Sequence, residues 1–230
     1  MVGMLWACVL ASPSSLQPEL VLAPASATPD LEMQLAAELD GCRSGIFLDV
    51  GSNIGMHARF LFEPQYYPRS TFTQIFDEHF GSAGNRSDVC AVAFEPNPRQ
   101  QPRFERLAAA YATHGWRVIH SPHGVSDAPG VMAFYHNDGP DNAHEEWQFS
   151  SQPLANATSR VDVRTLDLAR FLRLLAQRVP SRPGALVIKM DIEASEYAVL
   201  PRLVSSGTLC NHVDFITVEF HPGLVRAPAR

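Results

Sequence analysis

The chain has 230 residues, room for one α/β domain, with or without a tail, and for a sizeable core. Its net charge of -6 and ordinary composition give no electrostatic reason to expect nucleic acid or an acidic membrane surface. Of its 18 basic residues only Lys189 is lysine, and four scattered cysteines, Cys8, Cys42, Cys90 and Cys210, form no C-x-x-C pair, which counts against a zinc site. Cys90 reads as a small buried hydrophobe at the start of a strand. Cys42 and Cys210 are candidates for pairing in an oxidising compartment, with connectivity left open by the sequence.

Residues 1–11 are apolar and residues 12–29 are rich in Pro, Ala and Ser. This stretch fits either a secretory signal with a flexible stalk or a disordered N-terminus, so secretory and cytoplasmic locations stay equally open. The apolar run is too short to span a bilayer, and a membrane partner is expected only if it anchors the chain. Two sequons, at Asn85 and Asn156, matter only in a secreted chain. Residues 30–39 are expected to form a short lead-in helix capped by Asp30, closing an N-terminal segment of residues 1–43 ahead of a domain over 44–230.

A buried strand over 46–50 then runs into the turn Gly51-Ser-Asn-Ile-Gly55 and a helix ending before Pro64. Residues 64–88 carry Tyr66, Tyr67, Phe72, Phe76 and Phe80, an aromatic insertion expected to pack beside the site as a lid. A second buried strand over 89–95 precedes a helix with Phe104, Leu107, Ala108 and Tyr111 on one face and Gly115 at its end. A third strand spans 116–120, and 131–135 reads as an edge strand. Residues 137–160 read as polar loop. Asp167 caps a helix with Leu168, Phe171, Leu172 and Leu175 on its apolar face, 185–190 is a fourth strand, 193–204 a helix broken at Pro201, and 215–220 a fifth strand. Strands alternating with helices give a mostly parallel sheet, whose ligands bind at the carboxyl ends of the strands.

Polar residues collect at those ends: Asp49 after the first strand, Glu95 after the second, Asp191 after the fourth, Glu219 and His221 after the fifth. Gly51 and Gly55 allow a sharp turn and close approach to a ligand, and a helix starting near Gly55 aims free N–H groups at a carboxylate or phosphate. The spacing D-x-G-x-N-x-G departs from the G-x-G-x-x-G dinucleotide fingerprint and tells against a nicotinamide oxidoreductase. Glu95, one βαβ unit after a glycine turn, suits ribose hydroxyls. Asp127 fits either an adenine amino group or plain Ser-Asp turn chemistry. Lys189 and Asp191 share a strand face, as an ion pair of structure or of catalysis. His120, His123, His136 and His144 lack tight ligand spacing, and no metal is expected.

The segments Phe47-Leu-Asp-Val-Gly-Ser-Asn-Ile-Gly55, Phe94-Glu-Pro-Asn-Pro98, Gly124-Val-Ser-Asp127, Thr165-Leu-Asp167 and Ile188-Lys-Met-Asp-Ile-Glu-Ala-Ser-Glu196 follow one another as in the FkbM-type methyltransferases, and residues 44–221 resemble that family, in particular its eukaryotic methyltransferase-like branch. The resemblance implies a Rossmann-like class I three-layer α/β sandwich that binds S-adenosyl-L-methionine, with Asp49, Gly51, Asn53 and Gly55 around its methionine part, Glu95 on its ribose and Asp127 near its adenine. It also implies O-methylation of a hydroxyl on a small molecule or carbohydrate. Removing the hydroxyl proton needs a base, for which Asp191, Glu193 and then His221 are the candidates. Ala194 stands where the family usually has Gly, an exchange of little consequence unless φ is positive there. The chain stops soon after the fifth strand, so the fold is expected to be truncated there. Its last strand would then be an exposed edge, open to another copy of the chain, and a non-catalytic, degenerate binding module is the alternative.

Overall fold

In the computed structural model, residues 30–137, 149–153, 157–178 and 184–224 are described, together with the backbone of 2–4. Residues 5–29, His144 and Asn156 of the second sequon lie outside them. Ten strands and seven helices are defined among the described residues. In chain order they are β1 (Val2–Met4), α1 (Leu31–Glu38), β2 (Gly45–Val50), α2 (Met56–Phe62), α3 (Thr71–Phe80), β3 (Val89–Phe94), α4 (Gln101–Ala112), β4 (Arg117–Ser121), β5 (Gly124–Ser126), β6 (Gly130–His136), β7 (Phe149–Ser150), β8 (Ser159–Asp167), α5 (Leu168–Arg178), β9 (Ala185–Met190), α6 (Glu196–Ser205), α7 (Thr208–His212) and β10 (Phe215–Glu219).

The main sheet has the order β1-β10-β9-β2-β3-β4, parallel from β10 to β4, with helices on both faces, the Rossmann-like arrangement. Alternation along each strand divides the core. Ile46, Leu48 and Val50 of β2 join Leu186, Ile188 and Met190 of β9 under α1, α5 and α6. Phe47 and Val187 face the other way, onto α2 and α3. Asp49 and Lys189, each two residues on, lie on that second face and are register partners.

Several expectations change. The edge of β10 is not open, because Val2–Met4 pair antiparallel with it, Val2 opposite Glu219. The aromatic insertion packs beside the cleft, Phe72 against the His57 ring at 4.4 Å, but none of its residues lines it as a lid would. Phe72, Phe76 and Phe80 recur every four residues along α3 and pack under the sheet, with the rings of Phe47 and Phe76 centred 4.8 Å apart. Helix α6 runs through Pro201 without a break, starting three residues later than expected. Cys90 is no free hydrophobe and Cys42 does not pair with Cys210: Cys42 and Cys90 form a disulfide tying the end of α1 to β3, and no described cysteine is free. The stretch 130–136 is no edge strand. It sits between β8 and β7 in a second sheet, β5-β8-β6-β7, whose longest member begins in the segment expected to be loop. Asp30 caps α1 as expected, accepting from the N–H of Met33, and also pairs with Arg170 of α5. No helix among the described residues is long and apolar enough to cross a membrane.

Candidate active site

The carboxyl ends of β2, β3, β9 and β10 open into a cleft of about 440 Å³. One flank carries Gly51 to Ile54 and Glu95. The other carries Asp191, Glu193, Glu219 and His221, and Val125, Phe134 and Phe149 of the second sheet form an apolar wall.

The turn after β2 is more heavily engaged with protein than its sequence implied. The N–H groups of Gly51 and Ser52 both donate to the carbonyl of Phe94, and that of Gly55 to Ser52. The N–H of Asn53 donates to Glu95 Oε2 at 2.6 Å. These amides therefore do not wait for an anion. Gly51 has φ 79°, and a Cβ there would lie 1.7 Å from the carbonyl oxygen of Asp191, so the glycine lets β2 and β9 approach each other. Gly55, φ 78°, lies outside the cleft, where a Cβ would meet Phe104 at 3.0 Å. Gly51 thus lines the cleft while making room for β9, whereas Gly55 makes room for Phe104.

Asp49 is buried beneath the cleft and does not line it. Its Oδ2 accepts from Ser52 Oγ at 2.6 Å, and its Oδ1 faces Lys189 Nζ at 3.5 Å and His57 Nδ1 at 3.6 Å. Lys189 also donates to the carbonyl of Gly51 at 2.5 Å and lies 3.4 Å from Asp191 Oδ2. The only lysine is thus the bridge between the glycine turn and the motif after β9. Burial holds the His57 imidazole below its ordinary pKa.

Glu95 is buried and accepts the backbone N–H groups of Asn53 and Asn97. Burial nevertheless pushes its pKa up to about 7, the two amides only partly offsetting the desolvation. Asn53 Oδ1 is buried with no hydrogen-bond partner. Asp127 does not reach the cleft. It lies in the exposed turn between β5 and β6, accepting from Ser126 Oγ at 3.0 Å, because β5 leaves the main sheet to pair with β8. His123, Gly124 and Val125 line the cleft in its place.

Across the cleft the three expected base candidates converge. His221 Nε2 lies 3.5 Å from Asp191 Oδ1 and 3.9 Å from Glu193 Oε2. Glu193 and Ala194 are held at φ 50° and 82°, so the position where the family usually carries Gly does require a left-handed residue. Burial, with Asp191 and Glu196 nearby, raises the Glu193 pKa despite the His221 ring. One ligand atom from each of Asp191, Glu193 and His221 falls within 4.8 Å of the others. Lys189 Nζ, shared between Asp49 and Asp191, places one positive charge beside this group. His120, by contrast, stacks on Phe104 outside the cleft, and His136 packs near Phe149.

The Methyltransferase FkbM domain matches the chain over residues 49–226. The chain belongs to the FkbM methyltransferase family. A solved structure of the FkbM methyltransferase from Methylobacillus flagellatus KT is similar at 13% identity, with a TM-score of 0.39, over 71% of this chain and 30% of that one. The chain spans less than a third of that relative's length. No curated protein matches the chain.

Sequence reasoning missed three residues of this candidate site. Glu196 is fully buried behind His221, a placement signalled only by its ending the Asp191 motif. The wall residues Phe134 and Phe149 come from the second sheet, and β7 is held over the Asp191 motif by Ser150 Oγ, which donates to the Glu193 carbonyl at 3.1 Å, and by Ser151 Oγ, 2.8 Å from Ser195 Oγ.

Proposed function

We propose that the chain is an S-adenosylmethionine-dependent methyltransferase acting on a hydroxyl oxygen of a small molecule or carbohydrate. The observation that carries this reading is the meeting, in one cleft, of Glu95 and Asn53 with Asp191, Glu193 and His221. Family membership supports it. The cofactor fits the donor set: Asn53 Oδ1 is a buried acceptor with no hydrogen-bond partner, Glu95 is a second acceptor, and the cofactor's ribose hydroxyls and ammonium group are donors. When bound, S-adenosylmethionine supplies an electrophilic methyl group on a sulfonium. Glu95 would hold the ribose, the Gly51 to Asn53 segment the methionine part, and Val125 and Phe134 the adenine.

The remaining chemistry belongs to the chain. A neutral hydroxyl is a weak nucleophile, so its proton must leave as its oxygen forms the new bond. Asp191, Glu193 and His221 stand together to receive it. Burial raises the Glu193 pKa above its ordinary value, which makes that carboxylate a stronger base. Confinement by the wall from the second sheet orients the acceptor, which supplies much of the rate of an in-line displacement.

Calorimetric titration with S-adenosylmethionine, S-adenosylhomocysteine and NAD tests the reading. Both adenosyl ligands should bind, NAD should not, and Glu95→Ala should weaken binding by about tenfold or more, as for loss of a hydrogen bond to a charged group. A folded chain that binds neither adenosyl ligand overturns it.

A further inference from the structure

We propose that Glu196 is a positioning residue that fixes the tautomer of His221 and so makes Nε2 of that ring the base for the acceptor's proton. The proposal rests on the methyltransferase reading above. Glu196 opens α6 and is 0% exposed, a burial that carboxylates rarely tolerate without a dedicated partner. Its Oε1 accepts the backbone N–H of His221 at 2.8 Å and lies 3.3 Å from His221 Nδ1. Because the same Oε1 is the acceptor of that backbone N–H, the ring nitrogen facing it is assigned as a donor, and Nδ1 carries the ring hydrogen.

Nε2 is then the nitrogen left to take a proton, and it opens into the cleft beside Asp191 and Glu193. The acceptor's hydroxyl proton passes to Nε2 and from there to solvent. The imidazolium formed in between has Glu196 at Nδ1 and two carboxylates at Nε2, with Glu219 at the rim and Lys189 beyond Asp191. Glu196, fully buried behind the ring, never meets substrate. A purely structural role, tying the chain after β10 to α6, would use the backbone N–H alone. The ring contact is what that role leaves unexplained.

The test is nitrogen NMR of the full chain labelled at histidine, with steady-state kinetics of Glu196→Gln. The expected result is a His221 ring protonated at Nδ1 and bare at Nε2. In Glu196→Gln the amide oxygen still accepts the His221 backbone N–H and faces Nδ1, so the tautomer should hold while the carboxylate that stabilises the imidazolium is lost. There kcat should fall by about 100-fold, the range for loss of a positioned base, while the KM for S-adenosylmethionine changes less than about threefold. A wild-type ring protonated at Nε2 overturns the proposal, as does a Gln variant with unchanged kcat. If that variant fails to fold, the wild-type tautomer alone decides. Failure of the methyltransferase reading shows separately, as no binding of S-adenosylhomocysteine by the wild-type chain. That outcome removes the catalytic role and leaves the tautomer assignment intact.

Discussion

Glu95 Oε2 accepts the backbone N–H of Asn53 at 2.6 Å, so the residue expected to hold the ribose also braces the glycine turn beside it. That carboxyl has a folded pKa of about 7, raised from 4.5 by burial. Between those values the native state binds the extra proton, so the group costs nothing below pH 4.5 and destabilises the fold increasingly as pH rises through 7. Urea unfolding should therefore show the stability of wild type relative to Glu95→Gln falling by about 2 to 3 kcal/mol between pH 5 and 8. A pH-independent difference would show that the Glu95 pKa is unshifted.

Gly51 leaves no room for a side chain. In Gly51→Ala the new Cβ would sit 1.7 Å from the Asp191 carbonyl at a φ that alanine resists. Overpacking and left-handed strain together should cost roughly 3 kcal/mol or more, read by thermal unfolding. Cofactor affinity should fall with it, since Asn53 and Asp191 both move.

Ala194 occupies φ 82°. Replacing it with glycine relieves left-handed strain and should stabilise the chain by about 1 kcal/mol, about 2 to 4 °C in Tm for a domain of this size. An unchanged or lower Tm would mean that the backbone relaxes in the variant.

The disulfide between Cys42 and Cys90 closes a loop of sequence separation 48. Chain-entropy arguments give about 4 kcal/mol for such a loop. The double variant Cys42→Ser, Cys90→Ala should lose stability on that scale in urea unfolding. An equal loss on adding reductant to wild type would tie the effect to the bond rather than to the substitutions.

Asp191→Asn should lower kcat by about 100-fold while leaving S-adenosylhomocysteine affinity within about threefold, as expected for a group acting on the proton and not on the cofactor. A variant with undiminished kcat would remove Asp191 from the acid–base set.

What was legible in the sequence follows physical rules. Strands β2, β3, β9 and β10 are mostly apolar runs, as burial on both faces demands, and the polar residues at and near their ends point to the cleft. The second sheet was not legible, because β8 alternates Val161, Val163 and Thr165 with Arg160, Asp162 and Arg164, so its average polarity reads as loop although its period is that of a strand. Asp127 followed the family's spacing, but the departure of β5 to pair with β8 turned it outward. The disulfide joins residues with no local signal between them. The glycines were legible as tight positions, but not the Asp191 carbonyl and the Phe104 ring that fill the space beside them, since sequence shows that a Cβ is missing but not what takes its place.

Asp49 and Lys189 face each other across β2 and β9, in register and both nearly excluded from water. A parallel sheet of apolar strands has little to distinguish one alignment from the next, since Ile188 or Met190 would fit almost as well beside β2. Sliding β9 by one residue would set one of those apolar side chains against Asp49 and turn Lys189 to the opposite face, leaving a buried charge alone at a cost of about 3 to 5 kcal/mol. The pair that anchors the cleft is therefore also a key that admits only one alignment of the central strands.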